Sequence, residues 1–243
     1  SSPSNNFIIA ADGSISTPTA GASNFRAGVN AGNSIASGSN YNVLIGDEAG
    51  TALNSGDYNV AIGYQAGMAL NAGSVNTLIG ALAGDAATDA DYLVAIGVSS
   101  QTNNVSSNFN TSVGGNTMLG VLTAADLTAG EKNTVVGGLA GDALTEGNFN
   151  AVLGAEALTL DTKGTGSIAI GRAALETQNF TSATTTENTA VGNQAGLSNL
   201  TGTAATFIGH YSGRFATTAE ATTFVGANAG RGITGTKLTG NNN

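Results

Sequence analysis

Asn59-Val-Ala-Ile-Gly-Tyr-Gln-Ala-Gly67 is followed, 17 residues further on, by Asn76-Thr-Leu-Ile-Gly-Ala-Leu-Ala-Gly84. Both stretches carry Asn-x-x-Ile-Gly and then a small residue ahead of a second glycine. An Asn-x-x-[Ile/Val/Leu]-Gly pattern recurs down the chain. Its anchor glycines are Gly46, Gly63, Gly80, Gly97, Gly114, Gly137, Gly154, Gly171, Gly192, Gly209 and Gly226. Eight of the ten spacings are 17, and the other two, 23 and 21, are the same unit with six or four residues inserted. A degenerate copy, Asn24 to Gly28, reads as an earlier coil. A unit this short holds neither two helices nor a propeller blade. It fits one coil of an all-β parallel solenoid, a β-roll whose strands pair from coil to coil at about 4.8 Å.

Each position relative to the anchor has its own chemistry. At −1 stand Ile, Val or Leu throughout, from Ile45 to Val225. At −3 stand Val43, Val60, Thr77, Val94, Thr111, Thr134, Ala151, Ile168, Thr189, Thr206 and Thr223. Strand alternation puts −1 and −3 on one face, together with an aromatic column at −5: Tyr41, Tyr58, Tyr92, Phe109 and Phe149. β-Branched residues suit packed strand positions, so this face is expected to fill the coil. The −2 column, from Leu44 to Phe224, is then expected to point outward as an apolar stripe that needs covering by other copies. Seven of eleven residues at −4 are Asn, which can hydrogen-bond along the stack. At +3 every residue is small, as in Ala49, Ser100 and Thr117, and Gly often follows. Glycines at −7, such as Gly56 and Gly147, mark a second turn, and positive φ is the expected reason for glycine at these corners.

Composition excludes several classes. There is no Cys, hence no disulfide or thiolate metal site. Net charge is −9, with seven scattered Lys and Arg and no basic stripe, which argues against nucleic acid as a partner. No apolar run reaches the roughly 18 residues of a membrane span, and residues 1–15 do not read as a signal peptide.

The two quoted stretches resemble repeats in tail-fibre-like proteins of marine tailed phages, cyanophages especially, over residues 14–243. The repeat also resembles the YadA-like heads of trimeric autotransporter adhesins. That resemblance implies a left-handed parallel β-roll assembled as a homotrimer. Repeats of that family are usually shorter, so a wider coil is implied here.

No residue pattern points to catalysis, a cofactor or a metal. His210, the single histidine, follows an anchor glycine and reads as a surface turn residue. Val136-Gly-Gly-Leu-Ala-Gly141 looks superficially like a phosphate loop but lacks the Gly-Lys-[Ser/Thr] ending. Asp85 and Asp142 share the +5 column, and Asp47, Glu48, Asp57, Asp89 and Asp91 lie near turns. They read as solvated turn carboxylates and not as a calcium loop. Recognition loops are expected in the two irregular coils, between Gly114 and Gly137 and between Gly171 and Gly192. Residues 1–23 read as an N-terminal cap or connector, and 24–243 as the solenoid. The final Thr239-Gly240-Asn241-Asn242-Asn243 matches the lead-in to another anchor, so the repeat is expected to continue. The functional expectation is a non-enzymatic fibre or adhesin segment on a virion or cell surface. It would contact other virion or fibre proteins and a host glycan or receptor, without membrane insertion. A bacterial adhesin head and, from the Thr residues at −3, an ice-binding solenoid are the alternatives.

Overall fold

The computed structural model describes residues 8–9, 15–16, 19–106, 108–117 and 130–232. The chain divides into two compact units, residues 1–109 and 110–243. In the first, β1 (Ile8–Ile9) pairs antiparallel with β2 (Ile15–Ser16). Then come β3 (Phe25–Ala27), β4 (Val43–Ile45), β5 (Val60–Ile62), β6 (Thr77–Ile79) and β7 (Val94–Ile96), all parallel. The register is that of the repeat: Ile45 pairs with Ile62, Ile62 with Ile79 and Ile79 with Ile96. The degenerate copy at Asn24–Gly28 is a coil, since Phe25 pairs with Val43.

The second unit contains β8 (Thr111–Val113), β9 (Thr134–Val136), β10 (Ala151–Leu153), β11 (Gly164–Thr165), β12 (Ile168–Ile170), β13 (Thr184–Thr185), β14 (Thr189–Val191), β15 (Thr206–Ile208) and β16 (Thr223–Val225). All but β11 and β13 follow one another as a parallel sheet, in register across both irregular spacings. β11 and β13 make a small parallel pair beside it. No helix occurs among the described residues. The architecture is a parallel β-solenoid with one coil per repeat.

The strands are three residues long because special backbone positions bound them on both sides. The anchor glycines close each strand with φ between 120° and 142°. A Cβ on Gly46 would meet the carbonyl oxygen of Gly63, the next anchor, at 2.4 Å, so close approach and conformation both demand glycine. The left-handed region recurs at +2 and −5, but with side chains present: Glu48, Gln65 and Tyr211 at +2, and Tyr41, Tyr58 and Phe149 at −5. The glycines at −7 correct the expectation about corners. Gly56, Gly73, Gly147 and Gly202 have no positive φ. They are small because a Cβ there would strike the next coil's backbone, Gly73 O at 2.0 Å from Gly56.

The strand faces are the reverse of the expected ones. The −2 column is interior: Leu44, Ala61, Leu78, Ala95, Ala190 and Phe207 are fully buried. The −1 and −3 columns lie outside, half-buried to exposed, with Leu153 50% and Val225 64% exposed. The aromatic column is outside too, Tyr58 at 57% and Phe149 at 60%. The Leu44-to-Phe224 stripe therefore cannot be a seam between chains; it is the coil's own core. The physical reason is width. A coil one repeat in circumference has room for a single line of medium side chains, the Asn column and the small +3 residues. The broad β-branched rows fit better on the outer face.

Packing inside the coil matches size between −2 and +4, within a coil or with the next one: Gly67 and Gly196, beside Ala61 and Ala190, leave room for Leu78 and Phe207 of the following coil. Where −2 is large, +4 is Gly: Leu78 faces Gly84, and a Cβ there would lie 2.8 Å from Leu78 Cδ2. Phe207 sits against Gly213 in the same way, at 2.2 Å. Where −2 is Ala95 or Ala169, +4 is Gln101 or Leu175, both fully buried. Leu53, Leu70 and Leu93 complete the first unit's core; Val135, Val152 and Leu158 stand in the second. Each buried Leu contributes roughly 1.5–3 kcal/mol.

Candidate functional site

The outward face of the parallel sheet is chemically uniform in each unit. Its −1 and −3 columns in β4–β10, β12 and β14–β16 hold only Ile, Val, Leu, Thr and Ala. No charged side chain interrupts either column. In the second unit the −3 column reads Thr111, Thr134, Ala151, Ile168, Thr189, Thr206 and Thr223, all half-buried or exposed. The sequence identified these columns, but strand alternation does not say which set faces out.

Beside this face runs the aromatic column. Tyr41 and Tyr58 stack with centroids 4.9 Å apart and planes 9° from parallel; Tyr92 and Phe109 stack at 4.9 Å and 5°. These spacings equal the coil pitch, so stacking follows directly from register. Lys132 Nζ lies 5.2 Å from the Phe149 ring centroid.

Two side-chain ladders tie coil to coil. At −4, each buried Asn serves the following coil twice. Asn59 Oδ1 accepts from Asn76 N at 3.1 Å, and Asn59 Nδ2 donates to Gly73 O at 2.9 Å. Asn42, Asn76, Asn133 and Asn150 repeat the arrangement. A second ladder at −6 runs the other way and was missed in the sequence. Asn40 N donates to Asp57 Oδ1, Asp57 N to Ser74 Oγ, Ser74 N to Asp91 Oδ1 and Asp91 N to Asn108 Oδ1, at 2.6–3.0 Å. The signal was present: every −6 residue from Asn40 to Glu220 carries a side-chain oxygen.

The acidic residues are thereby placed individually. Asp57 and Asp91 are ladder acceptors, Asp47 accepts from Val29 N at 3.1 Å, and Glu48 accepts from Gln65 Nε2 at 2.6 Å. Asp89 is exposed. Asp85 and Asp142 are half-buried, and burial pushes both carboxyls above their ordinary 3.8, offset in part by their own N–H and that of the next residue. Among the described residues, no three His, Cys, Asp or Glu side chains stand together as a metal site. The Val136–Gly141 stretch runs from β9 into turns and opens no helix.

Most of the insertion between Gly114 and Gly137 lies outside the described residues, as do Thr239–Asn243. The insertion between Gly171 and Gly192 does protrude, with Thr181, Ser182 and Ala183 exposed. Its base is fixed by a buried polar network that sequence reasoning did not find. Asp161, fully buried, accepts from Gln178 Nε2 at 2.6 Å and from the N–H groups of Gly164 and Phe180 at 3.1 Å. Gln178 in turn bonds Ser167 and accepts from Asn188, while Ser167 bonds Thr186. Every member is buried, so the network holds the insertion in place and offers no surface for chemistry. In the regular coils Leu53 and Leu70 occupy the position of Asp161 and Gln178, so only that substitution hinted at it.

His210 is exposed, and its ring stacks on Tyr211 with centroids 3.6 Å apart. Comparison with protein-family models, curated proteins and solved structures finds no match.

Proposed function

We propose that this chain is a non-enzymatic segment of a surface fibre, carried on a virion, whose copies associate as a homotrimer through the outward sheet face. The observation that carries this reading is the pair of uncharged, mostly β-branched columns at −1 and −3, interrupted by no charged side chain. A contiguous apolar face of that kind is a liability unless covered. The chain's net charge is −9, so copies repel one another over most of their surface. The uncharged face is where like-charged copies approach at least cost. The number three and the virion setting come from the resemblance to phage tail-fibre repeats and YadA-like heads. A bacterial surface adhesin head is the same reading in another setting. The partners are then other fibre components and a host surface glycan or receptor.

Light scattering on the purified chain tests the assembly. The expected result is a species three times 23.7 kDa, with association strengthened by added salt as repulsion is screened. Ile170→Asp with Ile208→Asp should convert it to monomer, because a charge buried in an apolar seam is costly. A parent chain that stays monomeric at tens of micromolar would overturn the reading. Antibody labelling of purified particles tests the location.

One observation favours a second reading. The Thr residues at −3 face outward on the parallel sheet, as an ice-binding surface requires. A monomeric chain showing thermal hysteresis, abolished by Thr189→Tyr and Thr206→Tyr, would replace the fibre reading.

A further inference from the structure

Basic side chains are scarce here, seven Lys and Arg against sixteen Asp and Glu. Four of the described ones have evident partners. Lys163 pairs with Glu146 at 2.5 Å and Arg172 with Glu156 at 2.8 Å. Arg26 donates to Ala31 O and Gly32 O, and Lys132 lies over Phe149.

Arg214 and Arg231 differ. They occupy the same column, five residues after Gly209 and Gly226, in adjacent coils joined there by Phe215 N to Arg231 O at 3.0 Å. Both guanidinium carbons lie over one ring: Arg214 is 4.5 Å and Arg231 5.0 Å from the Tyr211 centroid. Arg214 is also 4.9 Å from the Phe215 ring, and His210 stacks on Tyr211 at 3.6 Å. Neither arginine enters a salt bridge among the described residues. Arg214 Nε is buried without a hydrogen-bond partner, and the bond from Arg231 is a long one, Nη1 to Asn228 Oδ1 at 3.3 Å. Residues 233–243 contain no Asp or Glu that could neutralise the pair.

Two guanidinium groups that share one ring repel each other, and the ring offsets only part of that cost. Each presents a fork of N–H donors matched to the two oxygens of a carboxylate or a sulfate. Apart from Asn228 Oδ1 at 3.3 Å, the described chain supplies no side-chain acceptor for those donors. We infer that Arg214, Arg231, His210 and Tyr211 form a site for an oxyanion carried on a sugar, the sulfate or carboxylate of an acidic polysaccharide. The cluster is confined to two coils of a strongly acidic chain, which suits one oxyanion per site. It does not suit the continuous phosphate track of a nucleic acid, which needs an extended basic stripe. The half-buried rings of Tyr211 and Phe215 supply apolar surface for the ring that carries the charge. The choice of a sugar rests on the surface-fibre reading; the oxyanion does not.

The test is affinity electrophoresis of the intact chain through gels holding heparin, alginate or neutral dextran, at low and at physiological salt. Retardation by heparin or by alginate, but not by dextran, is expected, and which of the two acts identifies sulfate or carboxylate. Arg214→Gln with Arg231→Gln should weaken retardation at least tenfold, while Arg172→Gln leaves it unchanged. Retardation by neither acidic polymer, or retention undiminished in the double variant, would overturn the inference. Should the double variant fail to fold, phenylglyoxal modification of the parent gives the answer. The bound polymer should protect Arg214 and Arg231 but not Arg172, and equal labelling with and without polymer would count against the site. These assays are indifferent to oligomeric state and location, so they can fail while the fibre reading stands, or the reverse.

Discussion

Asn59 is joined through one amide to two backbone groups of the following coil, Asn76 N and Gly73 O. Removing that amide strands both, and an unsatisfied buried polar group costs about 1–3 kcal/mol. Asn59→Ala should therefore lower stability by about 2–4 kcal/mol in urea titrations, whereas Asn71→Ala, at an exposed position, should leave the midpoint nearly unchanged. The acidic residues make a prediction of the opposite sign. The carboxyls of Asp85 and Asp142 are raised by burial, so the folded chain holds their protons more tightly than the unfolded one. Stability then falls as pH rises from 3.8 through the raised folded value, and the deficit persists above it. Asp85→Asn with Asp142→Asn should raise the melting temperature slightly at pH 7 and hardly at all at pH 3. A lower melting temperature at pH 7 would mean that the backbone N–H bonds to the ionised carboxylates outweigh desolvation. Both residues keep substantial access to water, which limits the size of the effect.

At the scale of the coil, the pairing of −2 with +4 predicts energetic coupling. Leu78→Ala alone should cost about 2–5 kcal/mol as a cavity mutation. Gly84→Ala alone forces a Cβ to within 2.8 Å of Leu78 Cδ2 at a φ of +57°. In the double variant the cavity accepts the methyl group, so the combined loss should fall short of the sum by about 1 kcal/mol or more. Strict additivity would show that the two positions do not share space. This layer also marks where the sequence ceased to be legible. The coil length, the strand register and the Asn ladder all followed from Gly46, Gly63 and the columns beside them. The sense of the faces did not. Alternation sorts Val60 and Ile62 from Ala61 without saying which set is inside, and the habit of burying β-branched residues points the wrong way in a coil this narrow. The size match of Leu78 with Gly84 and of Ala169 with Leu175 held the answer, but it becomes meaningful only once both columns are known to face one cavity. The Asp161 network lay beyond reach for another reason. Its only trace in the columns is Asp161 and Gln178 standing where regular coils have Leu53 and Leu70, and the insertion it holds has no counterpart in those coils.

Across the whole molecule, the lateral register permits change only in fixed steps. Val43 pairs with Val60, and Val60 with Thr77, through identical bonds. Excising residues 60–76 would bring Thr77 against Val43 with every ladder intact. That shortened chain should melt cooperatively as a β-protein, lowered only by the loss of one interface between neighbours. Excising residues 60–75 instead leaves Asn76 where Val60 stood, so each side chain of the next strand changes face, and folding should fail by circular dichroism. The gene behind such a chain can therefore lengthen or shorten by slippage or unequal recombination, provided whole repeats are gained or lost. Selection can then tune how far the chain reaches separately from what it touches, since length is counted in turns while the surface chemistry of each turn is written independently.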